Sequence, residues 1–277
     1  MSGNRWQAAA LCAAIAGCHP PEQIGPDQPV PAATNSMIAA PAPSWWKPSP
    51  GTGWQIQYSG AIDLSLPVPV YDLDLFLTPD SLIDRLHAAG KRVICYFGAG
   101  NFEPYRPDAG RFPETVLGKG IEGWPGERWI DVRQLAVLEP VMAARIDLAA
   151  RKRCDAVDPD CVDGYAESTG FPIHYEDQLA YNRMIAAAAH AKGLAVALKN
   201  DLGQVGALVD AFDMAVNEQC FEYQECDKLL PFPRGGKPVF QIEYRGDPGQ
   251  VCRQAAQLGF DTVFKRRELD AFRIACR

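Results

Sequence analysis

Acidic, amide and aromatic side chains follow the ends of predicted strands at widely separated points of the chain. Acids stand at or just after the fourth, sixth and seventh predicted strands, as Asp158 with Asp160, Glu218 and Glu243. Burial of an unpaired carboxylate costs several kcal/mol, so a fold retains such a set where the groups are solvated or used. Parallel strands would bring these ends to one rim, where the acids could act together.

Paired carboxylates beside aromatic side chains are typical of glycoside hydrolysis. One carboxylate attacks the anomeric carbon or activates water, and the other protonates the leaving oxygen. A nucleophilic Ser in a Gly-x-Ser-x-Gly setting does not occur, and four His in the chain weaken Ser-His and Cys-His schemes. The residue types therefore favour acid/base chemistry on a sugar.

The elements that would position these residues alternate between short apolar runs and helical patterns. The helices are predicted over 79–89, 135–151, 175–192 and 248–258. The apolar runs predict eight strands buried on both faces of a parallel sheet, at 54–58, 68–76, 92–97, 154–158, 194–199, 212–216, 239–243 and 262–264.

Eight strands with intervening helices predict an α/β fold of the (β/α)8 TIM-barrel type. The connection over 60–67 is too short and too rich in proline for a helix, so the barrel should be irregular there. A doubly wound open sheet is the alternative, but no Gly-x-Gly-x-x-Gly follows a strand, which disfavours its nucleotide-binding form.

Seven segments of the chain form a recognisable ordered set. They are 45–48 with 54–58 (WWKP, WQIQY), 71–74 (YDLD), 93–97 (VICYF), 129–133 (WIDVR), 154–160 (CDAVDPD), 198–200 (LKN) and 217–220 (NEQC). In this order, from about residue 45 to 265, the segments resemble glycoside hydrolase family 114.

The resemblance implies a (β/α)8 endo-hydrolase that cleaves α-1,4-linked galactosamine polymers with retention, and it implies no cofactor. It makes Asp160 the nucleophile and Glu218 the acid/base. Asp158 stays open as nucleophile, because in an extended chain it shares a face with Asp160. Cys161 stands where the family commonly has Asn. If that Asn orients the nucleophile or contacts substrate, the replacement bears on the activity and specificity of this protein.

Other rim residues are candidate substrate contacts, each with a structural alternative in the barrel core or as a partner of a carboxylate. Lys199 could contact substrate or tune the pKa of a carboxylate. The full set is Tyr58, Asp72, Asp74, Tyr96, Lys199, Asn200, Glu243 and Tyr244.

The N-terminal segment indicates export. Residues 1–17 read as a lipoprotein-type signal peptide, and Ile15-Ala16-Gly17-Cys18 resembles a bacterial lipobox, which predicts lipidation of Cys18. Residues 18–43 are a proline-rich tether, and 44–277 form the hydrolase domain. The domain would be anchored to the bacterial envelope, in the outer membrane by preference, or secreted after an ordinary signal cleavage.

Export permits disulfides, and seven cysteines follow Cys18, so at least one thiol stays free. Cys220 with Cys226 and Cys252 with Cys276 are the predicted pairs, and Cys95 is predicted as a buried free thiol. The cysteine spacing and the few His disfavour a metal site.

The formal net charge of −7 disfavours nucleic acid as a partner. We expect a monomer with a polysaccharide substrate and a membrane contact through the lipid. The alternative function is a non-catalytic surface lipoprotein that binds a cationic or amino-sugar polymer, and a hydrolase of another glycan is a third possibility.

Overall fold

All eight predicted strands lie side by side and parallel in one sheet. The computed structural model describes residues 44–276. The strands of this sheet are β1 Trp54–Ile56, β2 Val70–Asp74, β3 Arg92–Gly98, β7 Ala156–Asp160, β8 Ala195–Lys199, β9 Met214–Glu218, β10 Val239–Glu243, β11 Asp261–Phe264 and β12 Ile274–Ala275. The sheet order is β1-β2-β3-β7-β8-β9-β10-β11, and β12 pairs antiparallel with β11. The result is a mixed α/β fold around a curled, mostly parallel nine-stranded sheet.

The predicted helices are confirmed to within a residue or two at each end. Pro248 opens the last long helix and Gly259 ends it in the left-handed conformation, with φ 74°. The stretch from β1 to β2 contains turns and no helix, so the first connection is irregular as predicted. The helices are α1 Asp80–Ala88, α2 Leu135–Lys152, α3 Tyr175–Ala191, α4 Val205–Leu208, α5 Pro231–Arg234 and α6 Pro248–Leu258.

A small second sheet lies between β3 and α2 and was not predicted. Its three strands, β4 Asn101–Phe102, β5 Leu117–Ile121 and β6 Trp124–Ile130, pair antiparallel in the order β4-β6-β5. Five of the nine residues from 118 to 126 are Gly or Pro, which hides the alternating pattern of a strand.

The two faces of the large sheet carry separate apolar cores, because successive side chains of a strand point to opposite faces. Val93, Cys95 and Phe97 belong to the outer core, which includes Ile146 of α2 and Ile185 of α3. The inner face carries a second core, which includes Ile94, Ala156, Ala197, Val216 and Ile242.

Three disulfides are present within residues 44–276. The predicted pairs Cys220–Cys226 and Cys252–Cys276 are confirmed. The prediction that Cys95 is a free thiol is wrong: Cys95 is buried but bonded to Cys154. Cys154 precedes β7, and β7 pairs with β3, so adjacent strands bring the two sulfurs together. Cys161 is the free thiol of the described part of the chain.

The predictions for residues 1–17, 18–43 and Cys18 concern segments outside the described residues. Within 44–276, none of the helices is both long enough and apolar enough to cross a bilayer.

Candidate active site

Successive side chains of a strand alternate between the two faces of the sheet, and this places a set of polar side chains in the space above the inner core. Each lies two residues after an inner-face apolar residue of its own strand, and so shares its face. The pairs are Ile94 with Tyr96, Ala156 with Asp158, Ala197 with Lys199, Val216 with Glu218, and Ile242 with Tyr244.

Lys199 is the centre of this group. Its side chain is 2% exposed, and its Nζ lies 3.8 Å from Asp158 Oδ2, 3.5 Å from Asp160 Oδ1 and 3.4 Å from Glu218 Oε1. Burial alone would lower the pKa of Lys199, but the three carboxylates raise that pKa well above its ordinary value. The lysine therefore stays charged and holds three carboxylates around one ammonium group.

Asp160 reaches the solvent while Asp158 does not. The side chain of Asp160 is 21% exposed and lines a cavity of about 400 Å³. The hydroxyl of Tyr96 donates a hydrogen bond to Asp160 Oδ2 at 3.1 Å. Asp158 lies two residues deeper on β7 and is fully buried. Asp160 is thus the carboxylate of β7 that a ligand in the cavity can touch.

Glu218 is held from two sides. The hydroxyl of Tyr244 donates to its Oε2 at 3.0 Å, and its backbone N–H donates to Asn200 Oδ1 at 2.9 Å. Its side chain is 25% exposed and lines the same cavity as Asp160. Because one lysine contacts both Asp160 and Glu218 within 3.5 Å, their nearest oxygens are no more than about 7 Å apart.

Two more carboxyl groups lie beneath the cavity with perturbed pKa values. Burial raises the pKa of Asp158 to about 7, with Lys199 opposing the increase and Asp160 adding to it. Burial and the charge of Asp158 raise the pKa of Asp72 well above its usual range. Asp72 is fully buried and does not line the cavity.

The small sheet and the loop after its first strand form one wall of the cavity. Trp124, Trp129 and Glu127 lie on β6, and Tyr105 and Arg106 follow β4. Trp124 and Tyr105 are exposed over 57% and 61% of their surfaces. Sequence reasoning missed these wall residues, although an exposed Trp in a Gly-rich hairpin was a signal that could have found them.

A second cavity of about 510 Å³ adjoins the first. Both are lined by Asp163, Glu167, Asn200 and Glu218, so Glu218 lies where they meet. Burial raises the pKa of Asp163 to about 7 and, in the second cavity, that of Asp201 to about 8.

The remaining predicted contacts divide between cavity and core. Tyr58 and Asn200 line the first cavity, and Tyr58 packs against Tyr96 with ring centroids 4.3 Å apart. Asp74 also lines it, but Arg106 Nη1 forms an ion pair with Asp74 Oδ2 at 2.7 Å. Tyr244 reaches the site through Glu218.

Glu243 is not brought to the cavity. It is fully buried on the helix-facing side of β10, where its Oε1 accepts from the Phe221 N–H at 3.0 Å and from Gln241 Nε2 at 2.7 Å. Alternation places it on the face opposite to Ile242 and Tyr244. Its carboxylate accepts a hydrogen bond from the segment after β9 and does not face the cavity.

Cys161 lines the first cavity directly after Asp160. Its backbone is left-handed, with φ 60°, and a Cβ on Gly100 would lie 1.6 Å from its carbonyl oxygen. Gly100 is therefore required for the close approach of the two backbones. Burial raises the pKa of the Cys161 thiol well above its usual range, which disfavours a thiolate nucleophile.

The sequence profile of Glycoside-hydrolase family GH114 matches residues 35–277. The chain belongs to this family. Aspergillus fumigatus Ega3, solved in complex with galactosamine, is 38% identical, with a TM-score of 0.80 over 84% of this chain and 98% of that one. The protein is a glycoside hydrolase.

A more distant solved structure is similar in fold alone. The glycoside hydrolase domain of PelA from Pseudomonas aeruginosa is 12% identical, with a TM-score of 0.64 over 81% of this chain and 98% of that one. Among curated proteins, none is significantly similar in sequence.

Proposed function

We propose that this hydrolase cleaves α-1,4-linked galactosamine polymers internally and with retention of configuration. The observation that supports it most strongly is the placement of Asp160 and Glu218, which face one cavity and share the contact to Lys199. An upper limit of about 7 Å between their nearest oxygens accommodates the 5–5.5 Å of retaining enzymes and lies near the lower limit of the range of inverting ones.

In this mechanism Asp160 attacks the anomeric carbon and Glu218 donates its proton to the leaving oxygen. The carbon–oxygen bond to the leaving sugar breaks as the bond to Asp160 forms. Glu218 then takes a proton from water, which displaces the sugar from Asp160 and restores both groups. Asp160 loses its charge in the first step as Glu218 gains one, and Lys199 contacts both, so its ammonium group offsets the negative charge throughout.

Asp160, not Asp158, is the proposed nucleophile, because Asp158 has no exposed surface through which a sugar could reach it. We assign Asp158 the task of holding Lys199 by its 3.8 Å ion pair. Residue spacing alone leaves both Asp158 and Asp160 open, and the burial of Asp158 supports the assignment of Asp160.

The proposed substrate is a polymer with free amino groups. Ega3, a relative at 38% identity, was solved with galactosamine, and the two cavities here are lined by an excess of carboxylates over basic side chains. A deacetylated galactosamine chain is cationic, so these carboxylates would attract it, and salt would screen the attraction.

Cleavage inside the chain is supported by the second cavity. Because the two cavities meet at Glu218, sugars can extend on both sides of the bond that is cut. Exposed aromatic rings, Trp124 and Tyr105 at the first cavity and Tyr223 at the second, would give sugar rings apolar platforms.

We further infer that the sheet closes into the (β/α)8 barrel. The indole N–H of Trp54 on β1 donates to the carbonyl of Asp261 on β11 at 2.8 Å. The Tyr58 N–H, just after β1, donates to the carbonyl of Leu269, beyond β11, at 2.9 Å, and both bonds support closure between the first and last parallel strands. Export as a monomeric, lipid-anchored domain with Cys18 acylated stays part of the proposal. A Cys18→Ser protein that still fractionates with membranes would exclude the anchor.

Product analysis tests the activity. The purified protein is incubated with deacetylated and with fully acetylated α-1,4-galactosamine polymer, and the oligomers are identified by mass spectrometry. We expect a ladder of internal products from the deacetylated polymer, none from Glu218→Gln or Asp160→Asn, and reduced amounts from Asp158→Asn. Glu243→Gln is the matched control and should cleave.

Absence of cleavage by the wild-type protein would contradict the proposed substrate. Monosaccharide as the sole early product would contradict the endo mode. Full activity of Asp160→Asn with none in Asp158→Asn would move the nucleophile two residues back along β7.

A further inference from the structure

Two carboxyl groups face each other beneath the proposed nucleophile. Asp72 on β2 and Asp158 on β7 are both fully buried, and their side chains are within hydrogen-bonding distance of each other. The hydroxyl of Tyr58 lies 3.3 Å from Asp72 Oδ1 and 3.5 Å from Asp158 Oδ2. One hydroxyl proton cannot satisfy both carboxyl groups.

The remaining oxygens of the pair, Asp72 Oδ2 and Asp158 Oδ1, have no other hydrogen-bond partner. Ionised carboxylates only accept hydrogen bonds, so two of them in contact would repel each other and leave both oxygens unsatisfied. A single proton on the pair lets one carboxyl group donate a hydrogen bond to the other and removes one buried charge.

The surrounding charges decide which residue carries that proton. Lys199 Nζ forms its ion pair with Asp158 Oδ2, at 3.8 Å, so Asp158 is the member whose charge is compensated. Asp160 and Glu218 approach from the cavity side of Lys199, and Tyr58 covers the pair from the end of β1. Asp72 lies outside this ion pair and does not line the cavity, and it is the member that can be neutral.

We propose that Asp72 is a positioning residue that stays protonated and donates a hydrogen bond to Asp158, which holds Asp158 ionised against Lys199. Asp158 then fixes the ammonium group between Asp160 and Glu218. The proton stays on Asp72 throughout, and no bond to substrate is made. The proposal rests on the proposed function only for its effect on turnover.

Infrared spectroscopy of the full-length protein with ¹³C-labelled Asp tests the protonation state without any substrate. At pH 9, above the pKa of about 7 of Asp163 and of about 8 of Asp201, a carbonyl band of a protonated carboxyl group should persist. Asp72→Asn should remove this band, and Asp201→Asn, the matched control, should leave it in place. No such band at pH 9, or a band that survives in Asp72→Asn, would overturn the proposal.

Kinetics of two variants tests the role. Asn can still donate through its amide, so Asp72→Asn should keep kcat within about threefold, whereas Asp72→Ala should lower kcat by about 10–100-fold, as expected for loss of a hydrogen bond to a charged group. KM should change little in both, because Asp72 does not line the cavity. Circular dichroism and thermal unfolding establish that both variants fold.

Equal impairment of Asp72→Asn and Asp72→Ala in folded protein would mean that the carboxylate charge is needed, and would refute the neutral donor. If wild-type protein cleaves no galactosamine polymer, the proposed function fails, while the infrared result still decides the state of Asp72.

Discussion

Replacement of Lys199 by Met should move the acidic limb of the pH–activity profile toward alkaline pH. The change keeps the length of the side chain and removes its charge. At about 3.5 Å and an effective dielectric constant of about 20, each ion pair of Lys199 with Asp160 or Glu218 is worth about 5 kcal/mol. Both partners are partly exposed, so we discount this to about 3 kcal/mol, which corresponds to about 100-fold in rate.

Lys199 opposes the rise in the pKa of Asp158, so without the ammonium group the buried carboxylates would retain protons to higher pH. At a pH on the acidic limb of the wild-type profile, Lys199→Met should therefore lose about 100-fold in kcat/KM, and the loss should shrink as pH rises.

The assay is the initial rate of oligomer release from deacetylated polymer between pH 4 and pH 10, at constant ionic strength. Lys265→Met is the matched control: Lys265 is also buried, at 3% exposure, but it contacts Gln55 and the Asp270 carbonyl and not the three carboxylates. Thermal unfolding checks that both variants fold. A loss in Lys199→Met that is the same at every pH, or an equal shift in Lys265→Met, would refute the electrostatic role.

Three further predictions concern stability and substrate binding. The pKa of Asp201 is about 8 in the folded state and near 4 when unfolded, so the folded protein binds this proton more tightly. The resulting contribution to the free energy of unfolding is complete below pH 4 and is lost as pH rises to 8. Asp201→Asn should therefore raise the free energy of unfolding at pH 8.5, by a few kcal/mol, and not at pH 4, in urea titrations; an equal gain in the exposed Asp210→Asn would contradict this. Replacement of Cys95 and Cys154 by Ala should lower that free energy by about 4 kcal/mol, given the 59-residue separation, and an unchanged midpoint in urea would count against the loop-closure estimate. Trp124→Ala should raise KM for polymer about 5–30-fold at constant kcat, from the loss of about 1–2 kcal/mol of apolar contact, whereas an unaltered KM would show that this ring is not a sugar platform.

The strands and long helices could be predicted from local sequence patterns. Strands buried on both faces are continuous apolar runs, and the helices end at glycines. The small sheet could not, because its strands β5 and β6 are short of apolar residues and rich in Gly. The Cys95–Cys154 bond depends on the adjacency of β3 and β7, which are far apart in sequence because β4, β5, β6 and α2 lie between them.

The site shows the same division. Asp160 and Glu218 could be placed at strand ends, and the shared face of Asp158 and Asp160 followed from extended geometry. Glu243 and Tyr244 are adjacent, so only one of them can face inward, and the apolar Ile242 on the inner face fixes this as Tyr244. The meeting of three carboxylates on Lys199 required the register of three strands, which the sequence does not encode locally.

The anomeric configuration of the first-formed product tests the central proposal most directly. Proton NMR follows the new reducing ends during cleavage of a deacetylated α-1,4-galactosamine oligomer, before mutarotation equilibrates them. Attack by Asp160 followed by water, with Glu218 as acid and then base, predicts that the α-anomer forms first and relaxes to the equilibrium mixture. Initial formation of the β-anomer would show single displacement by water and would contradict the nucleophilic role of Asp160.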